Sequence, residues 1–354
     1  MTSSKRAHVV GLGLIGSSVA RALQRAGWTV TGDDLDESVV TEALRVGVIT
    51  DVPFPPDADL GVVATPAGAV VEVARRLLDS LSPHAVVTDV AGVKETIAHD
   101  IADPRFVPGH PMAGSELRGL AGCRADMFEG ATWVLTPTPS TDPRAYATVH
   151  HVIREMGAHV VALDAGDHDR LVALASHVPH LLAGALMNEA AVAAREDAVL
   201  LQLAAGGFRD MTRIAAGDPL MWPDVLLENR RAVTSTLDDV IARLESLRRV
   251  VAEQDRVGLE GTLRSASEAR RRLPGRAVSA EELAYLRVEI ADRPGALATI
   301  TTTASDRSVN IFDIEIAHHV EGRSGTLLLS VDETVADGFV ESLRSLGFLV
   351  VRDK

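Results

Sequence analysis

The chain has 354 residues, a formal net charge of -14 and one cysteine, Cys123. That length calls for two or three domains, because a single hydrophobic core stops growing at about 250–300 residues. The acidic balance excludes nucleic acid and anionic membrane as partners, since both need a basic face, and the lone cysteine excludes an intramolecular disulfide framework. No apolar leader and no apolar run of about 18 residues is read, so a soluble, cytoplasmic protein is expected.

The amino-terminal region alternates short apolar runs with helical segments. Ala7 to Val10 reads as a strand, Gly11-Leu12-Gly13-Leu14-Ile15-Gly16 as a glycine turn, and Ser17 to Ala26 as a helix. In that order the glycines suit a dinucleotide: Gly11 permits the tight turn, Gly13 lets the backbone approach a pyrophosphate, and Gly16 lets the helix pack close to the strand. The next strand, Trp28 to Gly32, ends at Asp33-Asp34, and Asp34 lies eighteen residues beyond Gly16, close to the offset of about 20 for an acid on the adenosine ribose. A carboxylate there repels a 2′-phosphate, so NAD is favoured over NADP; Asp33 is the alternative ribose ligand. Further strands at Leu60 to Ala64, Ala85 to Thr88, Phe106 to Val107, Thr132 to Leu135 and His159 to Leu163 predict one parallel sheet covered on both faces, a Rossmann-type domain over residues 1–164. Thr65 and Pro66 then sit at a strand exit facing the nicotinamide.

A loop expected after Phe106-Val107, Gly109-His110-Pro111-Met112-Ala113-Gly114-Ser115-Glu116, puts a histidine, a hydroxyl and a carboxylate where parallel sheets place their chemistry. Residues 165–273 read as an all-helical middle domain. There Asp169, Ala173, Ser176 and His180 recur at i, i+4, i+7 and i+11, which aligns an acid, a hydroxyl and a histidine, and Pro179 predicts a kink beside His180. Gly217-Asp218-Pro219 predicts a helix start shortly after Arg213, whose guanidinium suits a carboxylate ligand. Val233, Leu237, Val240, Leu244, Leu247 and Val251 form a seam that wants a second helix, and a homodimer is expected from it. No metal is expected.

Leu273 to Ser279 marks a boundary, with a linker placed at 274–282. Residues 283–354 then follow the ferredoxin-like βαββαβ order. This segment resembles an ACT domain through Asp292-Arg293-Pro294-Gly295 before its first helix and Asn310-Ile311 in its second strand. The resemblance implies amino-acid binding, with Gly295 and Asn310 as the effector positions.

Taken together, the glycine motif, the His110 to Glu116 loop, Ser176-His177-Val178-Pro179-His180, Phe208-Arg209-Asp210-Met211-Thr212-Arg213 and Met221-Trp222 resemble the prephenate dehydrogenase (TyrA) family over nearly all of residues 7 to 254. The resemblance implies NAD-dependent oxidative decarboxylation of prephenate to 4-hydroxyphenylpyruvate in tyrosine biosynthesis, with tyrosine as feedback effector. It implies His110 as the base near the substrate's C4 hydroxyl and Arg213 as the clamp on a carboxylate. Ser115 is implied as a further polar group, His180 and Glu116 as shaping the pocket, Asp169 as orienting or gating, and Trp222 as an apolar wall. One position departs from the pattern: Gly92 stands where the family usually has a serine two residues before Lys94. Arogenate, the amino counterpart of prephenate, fits the same machinery. A non-catalytic sensor of NAD and amino acid is the alternative from another class. The related 3-hydroxyacid dehydrogenases use a lysine in the helical domain, and this chain has none between Glu95 and Lys354.

Overall fold

In the computed structural model the described residues are 5–114, 117, 119–195, 200, 205–217, 219, 221–272, 283–291, 296–307, 309–318 and 324–353. They fall into two compact units, Met1–Arg243 and Leu244–Lys354.

The first unit opens with β1 (Arg6–Val10), α1 (Leu14–Arg25), β2 (Thr29–Asp33), α2 (Glu37–Arg45), β3 (Leu60–Val63), α3 (Val70–Ser80), β4 (Val86–Asp89), α4 (Glu95–Asp100) and β5 (Phe106–Val107). The five strands pair in parallel in the order β2-β1-β3-β4-β5. Every residue of β3 and β4 is buried, as strands covered on both faces require. Separate apolar clusters fill the two sides: one around Val19, Leu23 and Val30, the other around Val70, Leu77 and Ile97. The crossovers bring Gly11, Asp34, Thr65 and Ala91 to the carboxyl edge of the sheet.

The later strands do not continue this sheet as the sequence pattern predicts. β6 (Gly109–Pro111), β7 (Thr132–Leu135) and β8 (His159–Ala162) form a second, three-stranded sheet, with α5 (Pro143–Glu155) between β7 and β8. β6 is antiparallel to β7, and β7 is parallel to β8. Pro108 explains the break. It has no N–H for the first ladder, and its carbonyl accepts from the Thr136 N–H at 3.0 Å, which turns the chain onto β7. His110 therefore stands in a short strand rather than in a loop.

The helical part of this unit begins with α6 (Ala165–Val172), which runs through a π-turn at Ala173–His177 into α7 (Val178–Ala193). The π-turn shifts the expected face. His177, not Ser176, takes the buried position after Ala173, while Ser176 and His180 are half-buried. By length and composition alone the continuous helical run Ala165–Ala193 contains an 18-residue window, of mean hydropathy 1.3, apolar enough to cross a membrane. Its first turns nevertheless bury His168 and Asp169 in polar contacts with α4 and β6, a job within the fold. Then come α8 (Gly206–Thr212), a tight turn at Arg213–Ala216, α9 (Trp222–Glu228) and α10 (Arg230–Ala252). The helix start expected at Pro219 falls instead at Trp222, with Pro223 in the first turn where its missing N–H is harmless. Along α10, Val233 packs with Ala173 and Val178, and Leu237 and Val240 lie against them. Leu244 and Val251, further along the same seam, are exposed.

The second unit contains α11 (Arg256–Arg271), β9 (Leu283–Ala291), α12 (Ala296–Asp306), β10 (Ile311–His318), β11 (Ser324–Asp332), α13 (Glu333–Ser345) and β12 (Leu349–Asp353). Its sheet is antiparallel in the order β10-β11-β9-β12. Alternate residues Ala284, Leu286, Val288 and Ile290 are buried with Phe339 and Leu343, and Tyr285, Arg287 and Glu289 point the other way. Residues 273–282, including the expected linker, and 292–295, including Gly295, lie outside the described residues.

The approach of α1 to the first sheet sets a strict limit at Gly16. A β-carbon there would stand 1.9 Å from the Gly11 carbonyl oxygen and 2.9 Å from the Ala64 β-carbon. Gly16→Ala is therefore expected to destabilise the chain by about 1–3 kcal/mol or more, read as a lower urea midpoint at unchanged slope.

Candidate active site

The carboxyl edge of the first sheet is built to receive a dinucleotide. Gly11 takes φ +94°, and a β-carbon on it would meet the Ala64 carbonyl at 2.5 Å, so only glycine fits the turn. Gly13, by contrast, faces open space on its Cα side and stands at the N-cap of α1 without a side-chain cap, leaving first-turn N–H groups for an anion. Leu12, Leu14 and Ile15 complete the motif, and the Leu12 N–H donates to Asp34 Oδ2 at 2.7 Å. Asp34 thus stands against the glycine turn, half-buried, as a ribose ligand should. Asp33 is held elsewhere, with Oδ2 3.1 Å from Nε2 of the buried His8, which separates the two acids that the sequence leaves open. Thr65, at the exit of β3, has a buried hydroxyl with no hydrogen-bond partner among the described residues. An open glycine, free helix N–H groups, an acid at the end of β2 and an orphaned hydroxyl are the features a bound dinucleotide would satisfy. Pro66 follows, exposed, before a tight turn at Ala67–Ala69.

Beside this edge lies a buried polar network. Asp89 ends β4 with no exposure; its Oδ1 accepts from the Gly109 N–H at 3.1 Å and its Oδ2 from the Ala91 N–H at 2.9 Å. The ammonium of Lys94, also fully buried, pairs with Asp89. Burial lowers the Lys94 pKa, against the pull of Asp89 and Asp169. Gly109 admits no side chain: a β-carbon would lie 2.9 Å from Trp133 Nε1 and 3.1 Å from the Asp89 carbonyl oxygen. The two constraints fix the backbone that carries His110.

His110 Nδ1 lies 2.9 Å from His168 Nε2, and His168 Nδ1 lies 2.7 Å from Asp169 Oδ1. Asp169 further accepts from the Lys94 N–H at 2.7 Å and the Glu95 N–H at 2.9 Å. Its backbone carbonyl accepts from Asn229 Nδ2 at 2.9 Å, and the same Nδ2 lies 3.1 Å from Nδ1 of the buried His177. Desolvation first, then electrostatic interaction with neighbouring His168, Lys94 and His177, holds the His110 pKa well below the ordinary 6.5. Burial takes His177 down to about 4, against the pull of Asp169. His110 is thus kept neutral, the form able to accept a proton. Its Nε2 edge faces Gly92, where a β-carbon would be 3.8 Å from Nε2 and 4.0 Å from Val225 Cγ1.

Val225 sits on α9, which closes the site from the helical side. Trp222, at the start of α9, stacks on His180 with ring centroids 3.7 Å apart and planes 14° apart. A β-carbon on Gly217 would reach Trp222 Nε1 at 2.7 Å and His180 Cε1 at 2.8 Å, so the turn after Arg213 presses on this pair. Arg213 itself is exposed, on the turn that packs against α7. The structure therefore gathers His110, Asp169 and Gly92 into one cluster, joined through α9 to His180 and Trp222. Ser115 and Glu116 lie outside the described residues, and Asn310 is exposed at the entry to β10 in the second unit. Sequence reasoning places Asp89 to Lys94 at a strand exit on the nicotinamide edge without assigning either end residue a role, and it does not single out His168 or Asn229. The available signals were the juxtaposition of His168 with Asp169 and the rarity of lysine, which occurs only at Lys5, Lys94 and Lys354.

A parallel sheet with a glycine cradle at its carboxyl edge and a neutral histidine beside it defines a nucleotide-dependent dehydrogenase. The comparisons specify which. Residues 19–162 match the nucleotide-binding domain of prephenate dehydrogenase, and residues 164–265 its dimerization domain. The chain is 32% identical over 337 residues to the prephenate dehydrogenase of Bacillus subtilis, covering 91% of each. Two solved structures are similar. The prephenate dehydrogenase of Aquifex aeolicus in complex with hydroxyphenyl propionate and NAD+ has a TM-score of 0.72 at 29% identity, over 77% of this chain and 99% of that one. The arogenate dehydrogenase of Synechocystis has a TM-score of 0.65 at 32% identity, over 75% of this chain and 98% of that one. The chain belongs to the prephenate dehydrogenase family.

The depressed His110 pKa has a direct kinetic consequence. The neutral form persists as pH falls through 6.5, so the acid limb of kcat/KM is expected below that value. Lys94→Met removes one of the charges that lower it, and should move the limb toward higher pH. A wild-type limb at or above pH 6.5 would contradict the assignment.

Proposed function

We propose that the chain oxidises and decarboxylates prephenate to 4-hydroxyphenylpyruvate with NAD, in tyrosine biosynthesis. The observation that carries this reading is the place of His110, its Nε2 beside Gly92 and near Val225 on the helix that begins at Trp222. NAD, when bound, accepts the hydride from C4 of the substrate. The chain's own residues do the rest. His110 takes the C4 hydroxyl proton as that oxygen becomes a carbonyl, and the ring aromatises as carbon dioxide leaves C1. Arg213 clamps a substrate carboxylate; His180 and Trp222 form the wall beside it; Ser115 and Glu116, outside the described residues, keep the polar roles that the family resemblance implies. Asp34 binds the adenosine ribose, Gly11 to Gly16 cradle the pyrophosphate, and Thr65 and Pro66 border the nicotinamide. With a lone cysteine, Cys123, the enzyme suits a reducing cytoplasm.

Likeness to the Synechocystis arogenate dehydrogenase supports arogenate as the second candidate substrate. The βαββαβ order and antiparallel sheet of residues 283–353 support a ferredoxin-like ACT module that binds tyrosine as feedback effector near Gly295 and Asn310. The family's dimerization domain and the exposed Leu244 and Val251 on α10 support a homodimer.

Three measurements test the reading. Purified enzyme should reduce NAD with prephenate, and added tyrosine should suppress the rate; turnover with arogenate alone would change the substrate and keep the mechanism. His110→Asn should lower kcat by about 10²–10⁴-fold while NAD affinity stays within about twofold, and near-normal turnover would remove His110 as the base. Light scattering should give twice the chain mass of 37.5 kDa, with Leu244→Glu shifting the population toward monomer.

A further inference from the structure

We infer that His168 is a positioning residue that selects the tautomer of His110 and so makes Nε2 the proton acceptor. The inference deepens the proposed function, resting on His110 as base, and it stands on a chain of contacts that runs from Asp169 through His168 to His110. Asp169, as a carboxylate, can only accept, and it already takes the Lys94 and Glu95 backbone N–H groups. The hydrogen of its 2.7 Å contact with His168 must therefore reside on His168 Nδ1. With His168 in its neutral form, a ring protonated at Nδ1 presents a lone pair at Nε2. That lone pair lies 2.9 Å from His110 Nδ1, which must then donate. A neutral His110 protonated at Nδ1 has its remaining lone pair on Nε2, the edge facing Gly92 and Val225.

Gly92 has no side chain, so its position can offer the Nε2 edge neither a steric stop nor a hydroxyl. Orientation of the base thus falls to its Nδ1 side. The proton balance follows. The substrate O–H bond breaks as its proton bonds to His110 Nε2, and the resulting imidazolium keeps its Nδ1–H bond to His168. The backbone N–H groups on Asp169 hold the far end of the chain in place. Placing the wrong tautomer in a comparable aspartate-oriented histidine reduces kcat by about 10⁴-fold.

The experiment uses the full chain. In wild-type enzyme with NAD, 15N spectra of histidine-labelled protein, with His110 assigned through His110→Asn, should show Nδ1 protonated and Nε2 bare at pH 7.5. His168→Leu, which removes the acceptor, should lose that signature and lower kcat by about 100-fold or more, with KM for NAD and the dicarboxylate substrate within about threefold. His168→Gln places an amide oxygen near the former Nε2, and should recover part of both losses. Nε2 protonated in the wild type, or kcat of His168→Leu within twofold of wild type, would overturn the inference. So would equal losses in the Leu and Gln variants, which mark a merely structural role. Should His168→Leu fail to fold, the wild-type tautomer and the Gln variant still decide. If the enzyme turns over neither prephenate nor arogenate, the proposed function fails, whereas the tautomer is read without turnover and fails or stands separately.

Discussion

The carboxylate of Asp169 is the joint on which the active site depends. It sits at the start of the long helical run, almost wholly buried, and its contacts reach beyond its own helix to other parts of the molecule. Its oxygens accept from the Lys94 and Glu95 backbone where α4 begins and from His168 beside it, and its carbonyl accepts from Asn229 at the end of α9. A buried charge is tolerated only when such bonds are complete, and removing one partner of a buried pair typically costs about 3–5 kcal/mol. That penalty makes the joint stiff. The sheet edge, the helix bearing His180 and the helix bearing Trp222 hold their spacing because the alternative is an unsatisfied carboxylate.

A second buried pair, Asp89 with Lys94, works on the same edge from beneath. Asp89 grips the Gly109 N–H and so fixes the strand that presents His110. Lys94 serves both acids: its ammonium answers Asp89, and its backbone N–H answers Asp169. One residue thereby couples the strand of the base to the helix that orients it. The positive charge also holds down the His110 pKa, so positioning and protonation state come from the same side chain.

The nucleotide half was largely legible in the sequence because its determinants are local. Gly11 takes a φ that only glycine tolerates, Gly16 a close approach that admits no β-carbon, and Gly13 leaves its Cα side open, while Asp34 follows at a spacing fixed by one strand, one helix and the next strand. His110, the proposed base, was singled out through its motif. The partner that orients it was not, because His168 lies 58 residues away and only the packing of α6 brings the rings together. The π-turn at Ala173–His177 defeated the helical period: a wider turn leaves no mark on composition, yet it moves His177 inward and leaves Ser176 half-buried. Splitting of the strands into two sheets escaped for a related reason. Apolar runs reveal strands but not their partners, and a single proline at position 108 diverts the chain.

Gly92 shows how the two kinds of residue combine. Its loop is held by the Asp89–Ala91 turn contact and by the buried Lys94, so the bare Cα is a fixed feature. A hydroxymethyl group at that position would be within ordinary packing distance of His110 Nε2 and could share the work of holding the imidazole. Without it, the hydrogen bond that opposes rotation of the ring among the described residues is the one where Nδ1 meets His168. That concentrates the orienting interaction in bonds buried from solvent, where water cannot compete for the donor and the effective dielectric is low. The base is thus specified from behind, and the face that meets substrate stays clear.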